Sequence, residues 1–232
     1  MAGEENDVRA GVCSGGIMTP MRSLAGKQPN MSSQASVHII DDDDSVREAL
    51  GNLLRSMGYR VALYQSASEF LNHEMPDEPA CLVLDVRLPG RSGLELQEYL
   101  RSLNIELPVI LMTAFGDIPM SVRGMKAGAI DFLTKPMRDQ DLLDAVATAI
   151  RIDQARREEI AQTAQFRERY ALLTARERQV VALVATGLMN KQIANELSIS
   201  EVTVKMHRGS AMRKLGVKSV AALARIAKIL DI

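Results

Sequence analysis

Four consecutive aspartates, Asp41 to Asp44, close the apolar run 37–40, and a fifth, Asp85, closes the apolar run 80–84. Two carboxylates about 4 Å apart repel by roughly 4 kcal/mol at an effective dielectric near 20, so acids gathered in one place call for a cation. Oxygen donors with only a few protein carboxylates among them suit Mg2+, which keeps waters and accepts phosphate oxygens as further ligands. Two more apolar runs end in Thr113, after 109–112, and in Lys135, after 132–134. A hydroxyl and an ammonium beside a metal-bound carboxylate are what phosphoryl transfer onto that carboxylate needs. The metal and Lys135 would neutralise the incoming oxygens, Thr113 would donate to one of them, and Asp85 would be the nucleophile. Singly, each residue has a plainer role: Asp43 or Asp44 fits a helix N-cap, Thr113 a strand end and Lys135 a surface charge. The joint arrangement at four run ends is what points to chemistry.

A second constellation lies between Asn190 and Leu215, where the pattern reads as a helix, a short turn and a longer basic helix. Ile193, Ala194, Leu197, Ile199, Val204 and Leu215 supply a small core, with Val204 turned inward. Lys205, Met206, Arg208, Gly209 and Arg213 are left for the other faces. That division fits a helix presented to the major groove of double-stranded DNA. Charge agrees with it. Residues 36–150 carry 10 Lys/Arg against 18 Asp/Glu, a net −8, whereas residues 165–232 carry 12 against 5, a net +7. A basic module suits a polyanion, and the acidic half suits a cation.

The elements that must position these residues follow from the alternation of the chain. The runs 37–40, 60–64, 80–84, 108–112 and 129–133 are each followed by a segment long enough for a helix. Five such repeats imply an α/β module, a five-stranded doubly wound parallel sheet covered on both faces. In that architecture ligands bind at the carboxyl ends of strands beside a topological switch point. A long helical segment from Asp139 to about Glu168, free of Pro and Gly, then passes through Arg151, Arg156, Arg157, Glu158 and Glu159. Its charge pattern reads as a solvated connector, with a dimer-forming helix as the alternative. The last module opens on Thr174 and Glu177 at capping-box spacing. Helices are expected there over about 175–185, 191–197, 201–215 and 220–230, with Asn190, Ser200 and Ser219 as N-caps and Gly187 and Gly216 as stops. The resulting organisation is a disordered tail over 1–35, a sheet module over 36–152, a helical linker over 153–172 and a small all-α domain over 173–232. Met31 is a candidate translation start within the tail.

Several classes drop out. The only cysteines are Cys13 and Cys81, and Cys81 sits in an apolar run as a small hydrophobe, so no disulfide framework is implied. No apolar stretch approaches the length of a membrane span and no secretory signal opens the chain, which makes the cytoplasm the default and a membrane partner unexpected. No glycine-rich P-loop is present. Phosphatases of the haloacid dehalogenase type place a second aspartate two residues after the nucleophile, where this chain has Arg87.

The motifs Ile40-Asp41-Asp42, Leu84-Asp85-Val86-Arg87-Leu88-Pro89-Gly90, Met112-Thr113-Ala114 and Phe132-Leu133-Thr134-Lys135-Pro136 resemble those of response-regulator receiver domains, whose fold is flavodoxin-like. The resemblance implies that Asp85 is phosphorylated by a sensor histidine kinase. It also implies Mg2+ held by Asp42, Asp85, the carbonyl of Arg87 and, through water, Asp41, and a cis peptide at Lys135-Pro136. Thr113 and Phe132 would move together when phosphate arrives, although Phe132 lacks the hydroxyl of the frequent tyrosine and also fits a plain core aromatic. Leu173-Thr174-Ala175-Arg176-Glu177, the segment from Gly187 to Ala194 and Thr203-Val204-Lys205-Met206-His207 resemble the LuxR-type DNA-binding domain. With the segment from Phe115 to Met120, the whole chain from Val37 is similar to the FixJ branch of response regulators. The resemblance places Lys205, Met206 and Gly209 toward bases, and makes Lys191, Thr203, Arg208 and Arg213 candidates for phosphate contacts. His207 is open between partial burial and phosphate contact, and Lys214 and Lys218 read as solvated charges. A two-component transcription factor is implied, with RNA polymerase as a partner and a homodimer as the phosphorylated form. A constitutive DNA-binding protein using the receiver only to dimerise is the rival. Intact Asp85, Thr113 and Lys135 argue against it.

Overall fold

The computed structural model describes residues 35–74, 77–114, 118–230 and 232. The expected tail up to residue 34, the candidate start at Met31, Cys13, and residues 115–117 of the segment running to Met120 lie outside them. Aliphatic runs too short for helices become strands when both their faces can be buried. In chain order the elements are β1 (Ser36–Ile40), α1 (Asp44–Ser56), β2 (Arg60–Tyr64), α2 (Ala67–Leu71), β3 (Ala80–Asp85), α3 (Gly93–Ser102), β4 (Val109–Thr113), α4 (Ile118–Lys126), β5 (Asp131–Thr134) and α5 (Asp139–Ala171). Four shorter helices complete the chain: α6 (Ala175–Ala185), α7 (Asn190–Leu197), α8 (Glu201–Leu215) and α9 (Val220–Leu230).

The five strands pair in the order β2-β1-β3-β4-β5, all parallel. Successive side chains point to opposite faces. Ile40, Leu82, Leu84 and Leu111 therefore pack with Phe70 of α2 and with Leu94, Leu96 and Leu100 of α3. Val37, Ile39, Cys81, Val83, Ile110 and Met112 pack on the other side with Leu54 of α1 and with Leu142, Val146 and Ala149 of α5. The chain turns outward from β1 to β2 and then crosses to β3, so the switch point lies between β1 and β3. Their register, with Ile40 opposite Leu84, brings the residues that follow these two positions to one end of the sheet.

Some boundaries differ from the sequence reading. Strand β1 begins at Ser36, a residue before the apolar run, and Ala35 ahead of it is buried in the second core, its carbonyl accepting from the Arg60 amide at 3.0 Å. Strand β5 starts at Asp131 rather than at Ala129. Met189, not Asn190, is the N-cap of α7, because the Gln192 side chain accepts from the Met189 amide at 2.8 Å. Ser200 caps α8 as expected, Gly216 ends it in the left-handed region, and the Ser219 hydroxyl accepts from the Ala222 amide at 3.1 Å.

Helix α5 runs 33 residues without a break, about 50 Å at 1.5 Å per residue. Arg156 and Arg157 are not the solvated charges that the sequence suggested. Asp153, fully buried, accepts from the Ala80 amide at 3.0 Å, from Arg156 at 2.6 Å and from Arg157 at 2.7 Å. Arg157 also reaches Asp77 and Arg156 reaches Glu106, so the helix stays clamped to the sheet module a full turn beyond Ile150. Burial alone would raise the Asp153 carboxyl, but the two guanidinium groups and the Ala80 amide outweigh it and hold its pKa below the ordinary value. At the far end, Tyr170 packs against the helical core and Arg169 donates to the Leu215 carbonyl at 3.2 Å, at the last turn of α8.

The C-terminal helices enclose a core of Leu173, Val180, Val181, Ile193, Val204, Ala211, Leu215 and Leu223. The expected capping box is formed: the Thr174 hydroxyl accepts from the Glu177 amide and the Glu177 carboxylate from the Thr174 amide, at 3.3 and 2.7 Å. Lys214, expected in solvent, instead donates to buried Glu177 at 2.7 Å and to the Leu172 carbonyl at 3.2 Å. Burial pushes the Glu177 carboxyl up, yet Lys214, Ser210 and Thr174 together hold its pKa down at about 2, against an ordinary 4.5. A carboxylate with a depressed pKa contributes stability that is fully present above its unfolded value and is lost as pH falls through its folded value. Glu177→Gln is therefore expected to lower the Tm of the helical module at pH 7. The gap to wild type should close between pH 4.5 and about 2 in thermal unfolding followed by circular dichroism.

Candidate functional site

Because β1 and β3 are neighbours, Asp41 and Asp85 emerge side by side, 1% and 4% exposed. Lys135 arrives from beyond β5, its amide held by the Thr113 carbonyl at 2.8 Å and the following peptide bond to Pro136 cis. Its ammonium lies 2.5 Å from Asp41 Oδ2 and 2.7 Å from Asp85 Oδ1. The second Asp85 oxygen accepts from the Arg87 amide at 2.8 Å, and the second Asp41 oxygen from the Asp43 amide at 3.1 Å. Thr113 is buried at the end of β4, one position past Met112, which pairs with Asp85. Three sequence-predicted residues, Asp41, Asp85 and Lys135, thus meet directly, and Thr113 ends the adjoining strand.

Burial pushes the Asp85 carboxyl above its ordinary pKa, helped by the nearby Asp41 charge and opposed by Lys135 and the Arg87 amide. Burial would lower the Lys135 ammonium, but its bonds to Asp41 and Asp85 prevail and raise it, so it remains charged. Asp43 takes the plain role foreseen for it, capping α1 by accepting from the Ser45 and Val46 amides. Asp42 is exposed. Among the described residues no group of three or more acids, histidines or cysteines forms a ready-made metal cluster. The Lys135 ammonium is shared by the two buried carboxylates.

One residue of the pocket escaped the sequence reading. A Cβ on Gly93 would lie 2.3 Å from the Asp85 carbonyl oxygen and 3.0 Å from the Val86 Cα. Only glycine lets α3 begin directly against the backbone of Asp85. The available signal was Ser92 before it, which forms a capping box with Glu95 and so marks the helix start. Phe132 is half-buried against the first core, near Gly124. Beside it α4 exposes Ile118, Val122 and Met125 at i, i+4 and i+7.

In the basic module Lys191, Lys205, Met206 and Arg213 are exposed, while Thr203, His207 and Gly209 are half-buried. Thr203 is occupied in the helix cap, its amide donating to the Ser200 hydroxyl at 3.1 Å. Arg208 is tied to Asn190 at 2.8 Å, a link between α7 and α8 that sequence spacing did not reveal.

Two family patterns match this chain: the response regulator receiver domain over residues 37–147 and the bacterial regulatory proteins of the luxR family over residues 171–227. Nodulation protein W of Bradyrhizobium diazoefficiens is 50% identical over 207 residues, covering 89% of this chain and 91% of that protein. The chain belongs to the response regulators. The regulator is also 46% identical over 198 residues to the response regulator protein TodT of Pseudomonas putida, covering 85% of this chain and 87% of TodT. It is 41% identical over 192 residues to the transcriptional regulatory protein FixJ of Rhizobium meliloti, covering 83% and 94%. Among solved structures, the response regulator StyR is similar with a TM-score of 0.73 and 50% identity, covering 84% of this chain and 98% of that one. Full-length FixJ from B. japonicum gives 0.51 and 36%, covering 84% and 97%.

The regulator is thus a transcription factor with a receiver fold in front and a LuxR-type DNA-binding domain behind. Among the described residues no helix is long and apolar enough to cross a membrane. On α8, Gly209 has nothing nearer to an added Cβ than an Arg213 nitrogen at 4.0 Å, so the fold itself has no need of glycine there. Glycine inside a helix costs about 0.5–1 kcal/mol relative to alanine. Gly209→Ala in the regulator is expected to gain that much stability in urea unfolding.

Proposed function

We propose that Asp85 accepts a phosphoryl group from the phosphohistidine of a sensor kinase, and that this event controls sequence-specific binding of double-stranded DNA by α8. The observation that carries the proposal is the pair of buried carboxylates, Asp41 and Asp85, sharing the Lys135 ammonium at the carboxyl ends of β1 and β3. One Asp85 oxygen attacks phosphorus, the phosphorus–nitrogen bond to the kinase histidine breaks, and the departing imidazole regains its nitrogen lone pair. Lys135, already charged, neutralises phosphoryl oxygens, and Thr113 donates to one of them. Asp42, Asp85, the Arg87 carbonyl and, through water, Asp41 would hold Mg2+. The donor set suits it in kind, because Mg2+ binds through one or two carboxylates and keeps its waters. When bound, the ion supplies charge neutralisation for the transferring group.

Thr113 and Phe132 are the residues through which the acyl phosphate alters the face of α4 and β5. The exposed stripe of Ile118, Val122 and Met125 on that face supports homodimerisation of the phosphorylated form. Lys205, Met206 and Gly209 face bases, and Lys191, Thr203, Arg208 and Arg213 face phosphates. The setting is the cytoplasm, with RNA polymerase as the downstream partner.

Incubation with Mg2+ and acetyl phosphate is expected to convert wild type to a species one phosphoryl group heavier by intact mass, and to leave Asp85→Asn unchanged. Equal modification of both proteins would remove Asp85 as the acceptor. On the output side, Lys205→Ala should weaken binding to selected DNA more than to random DNA. A phosphate contact would instead weaken both alike and lower the salt slope, so equal losses would take Lys205 out of the base-reading set.

A further inference from the structure

Helix α8 carries its apolar residues on two opposed sides. Val204, Ala211 and Leu215 are fully buried in the module core. Val202 and Met206, by contrast, are 75% and 61% exposed. With Gly209 they stand at i, i+4 and i+7, which places them in one line along a single helix face. A lone exposed valine is ordinary on any protein surface. This one has a setting that makes it informative.

The local fold does not require an apolar side chain at 202. The first turn of α8 is already closed by Ser200, whose hydroxyl accepts from the Thr203 amide at 3.1 Å and meets the Thr203 hydroxyl at 2.8 Å. The surroundings are mostly cationic: Lys205, one turn on, and Lys191 and Arg213 are exposed, against the exposed acids Glu201, beside Val202 on the same turn, and Glu196 on α7. In helix-turn-helix proteins the residues near the start of the second helix reach base edges. An isopropyl group neither donates nor accepts, so the one base feature it distinguishes in the major groove is the 5-methyl of thymine.

We propose that Val202 is a specificity-determining residue of the regulator, packing its side chain on the methyl group of a thymine in each half-site. The assignment rests on the reading of α8 as the groove helix and adds a residue to it. Val202 and Met206 form an apolar reading edge, and Gly209, with no Cβ and no protein atom crowding it, leaves the far end of that edge open to close approach by the DNA. Discrimination along this line is by shape and methyl contact, and the polar code is left to Lys205.

The experiment uses the full-length protein treated with Mg2+ and acetyl phosphate, and duplex DNA selected by it from a randomised pool. Each thymine of the selected site is then replaced in turn by deoxyuridine, which removes only the methyl group. One replacement per half-site is expected to weaken wild-type binding about fourfold, the size of one methyl group's transfer from water. The same replacement should have no effect on Val202→Ala. Being exposed, position 202 tolerates the change without loss of the fold, and Lys205→Ala runs in parallel. If Val202→Ala keeps every uracil effect while Lys205→Ala changes the selected sequence, α8 reads the groove without Val202 and the proposal is overturned alone. If neither variant changes the selected sequence or its uracil effects, the groove-helix reading falls with it.

Discussion

One ammonium shared by two buried carboxylates is the constraint on which the receiver half depends. Asp41 and Asp85 are kept apart in sequence by more than forty residues and are brought together by the single parallel pairing of β1 with β3. Two negative charges so deeply placed are tolerable only with a cation between them. Lys135 supplies it from the end of the most distant strand on that side of the sheet. The order β2-β1-β3-β4-β5 is therefore the condition under which this ion triad exists, and the strand cores on either face exist to hold that order. The same triad carries the proposed chemistry. A carboxylate that is buried, restrained by the Arg87 amide and faced by a fixed positive charge has the setting that the proposed attack on an anionic partner requires.

The second half follows a different logic. Its core is small, and polar links tie its helices where apolar area is scarce: Glu177 with Lys214 between α6 and α8, and Arg208 with Asn190 between α7 and α8. The first uses a charge that sequence reasoning had assigned to solvent, whereas the second holds Arg208 in place and leaves its charge available. What remains free on the surface of α8 is correspondingly sharper, a few exposed cations beside an apolar edge. Gly93 and Gly209 make a useful contrast. The first is demanded by the fold, since any side chain there would strike the Asp85 carbonyl, whereas the second is not demanded by any contact within the protein.

Much of this was legible from the chain alone, for reasons that can be named. Strand positions could be read because central parallel strands are buried on both faces and so appear as unbroken apolar runs. The Thr174 and Glu177 box could be read because it is local. The pocket could be read because its members all sit at strand ends, where short acidic, hydroxyl and basic motifs stand out against the aliphatic runs. What escaped was tertiary in origin. The bond from Lys214 to Glu177 spans 37 positions and that from Asp153 to the Ala80 amide spans 73, and no local spacing encodes either. The N-cap of α7 was misplaced by one residue because Gln192, rather than a short polar side chain at the cap, satisfies the free amide.

The unbroken α5 has a consequence for how this chain can change length. It is fastened to the sheet at Asp153 and to the last turn of α8 through Arg169, 16 positions later, with continuous helix between. Each residue of an α-helix advances it about 1.5 Å and turns it about 100°. The spacing between the two fastenings is thus a torsional phase as well as a distance. One inserted residue would swing the rear module by more than a quarter of a revolution, while seven would return it to within about 20° of its starting azimuth. Length variation in this stretch is compatible with a nearly unchanged facing of the two modules only in steps close to whole numbers of turns, such as about seven, eleven or eighteen residues, so the connector behaves as a shaft with a keyed coupling at each end.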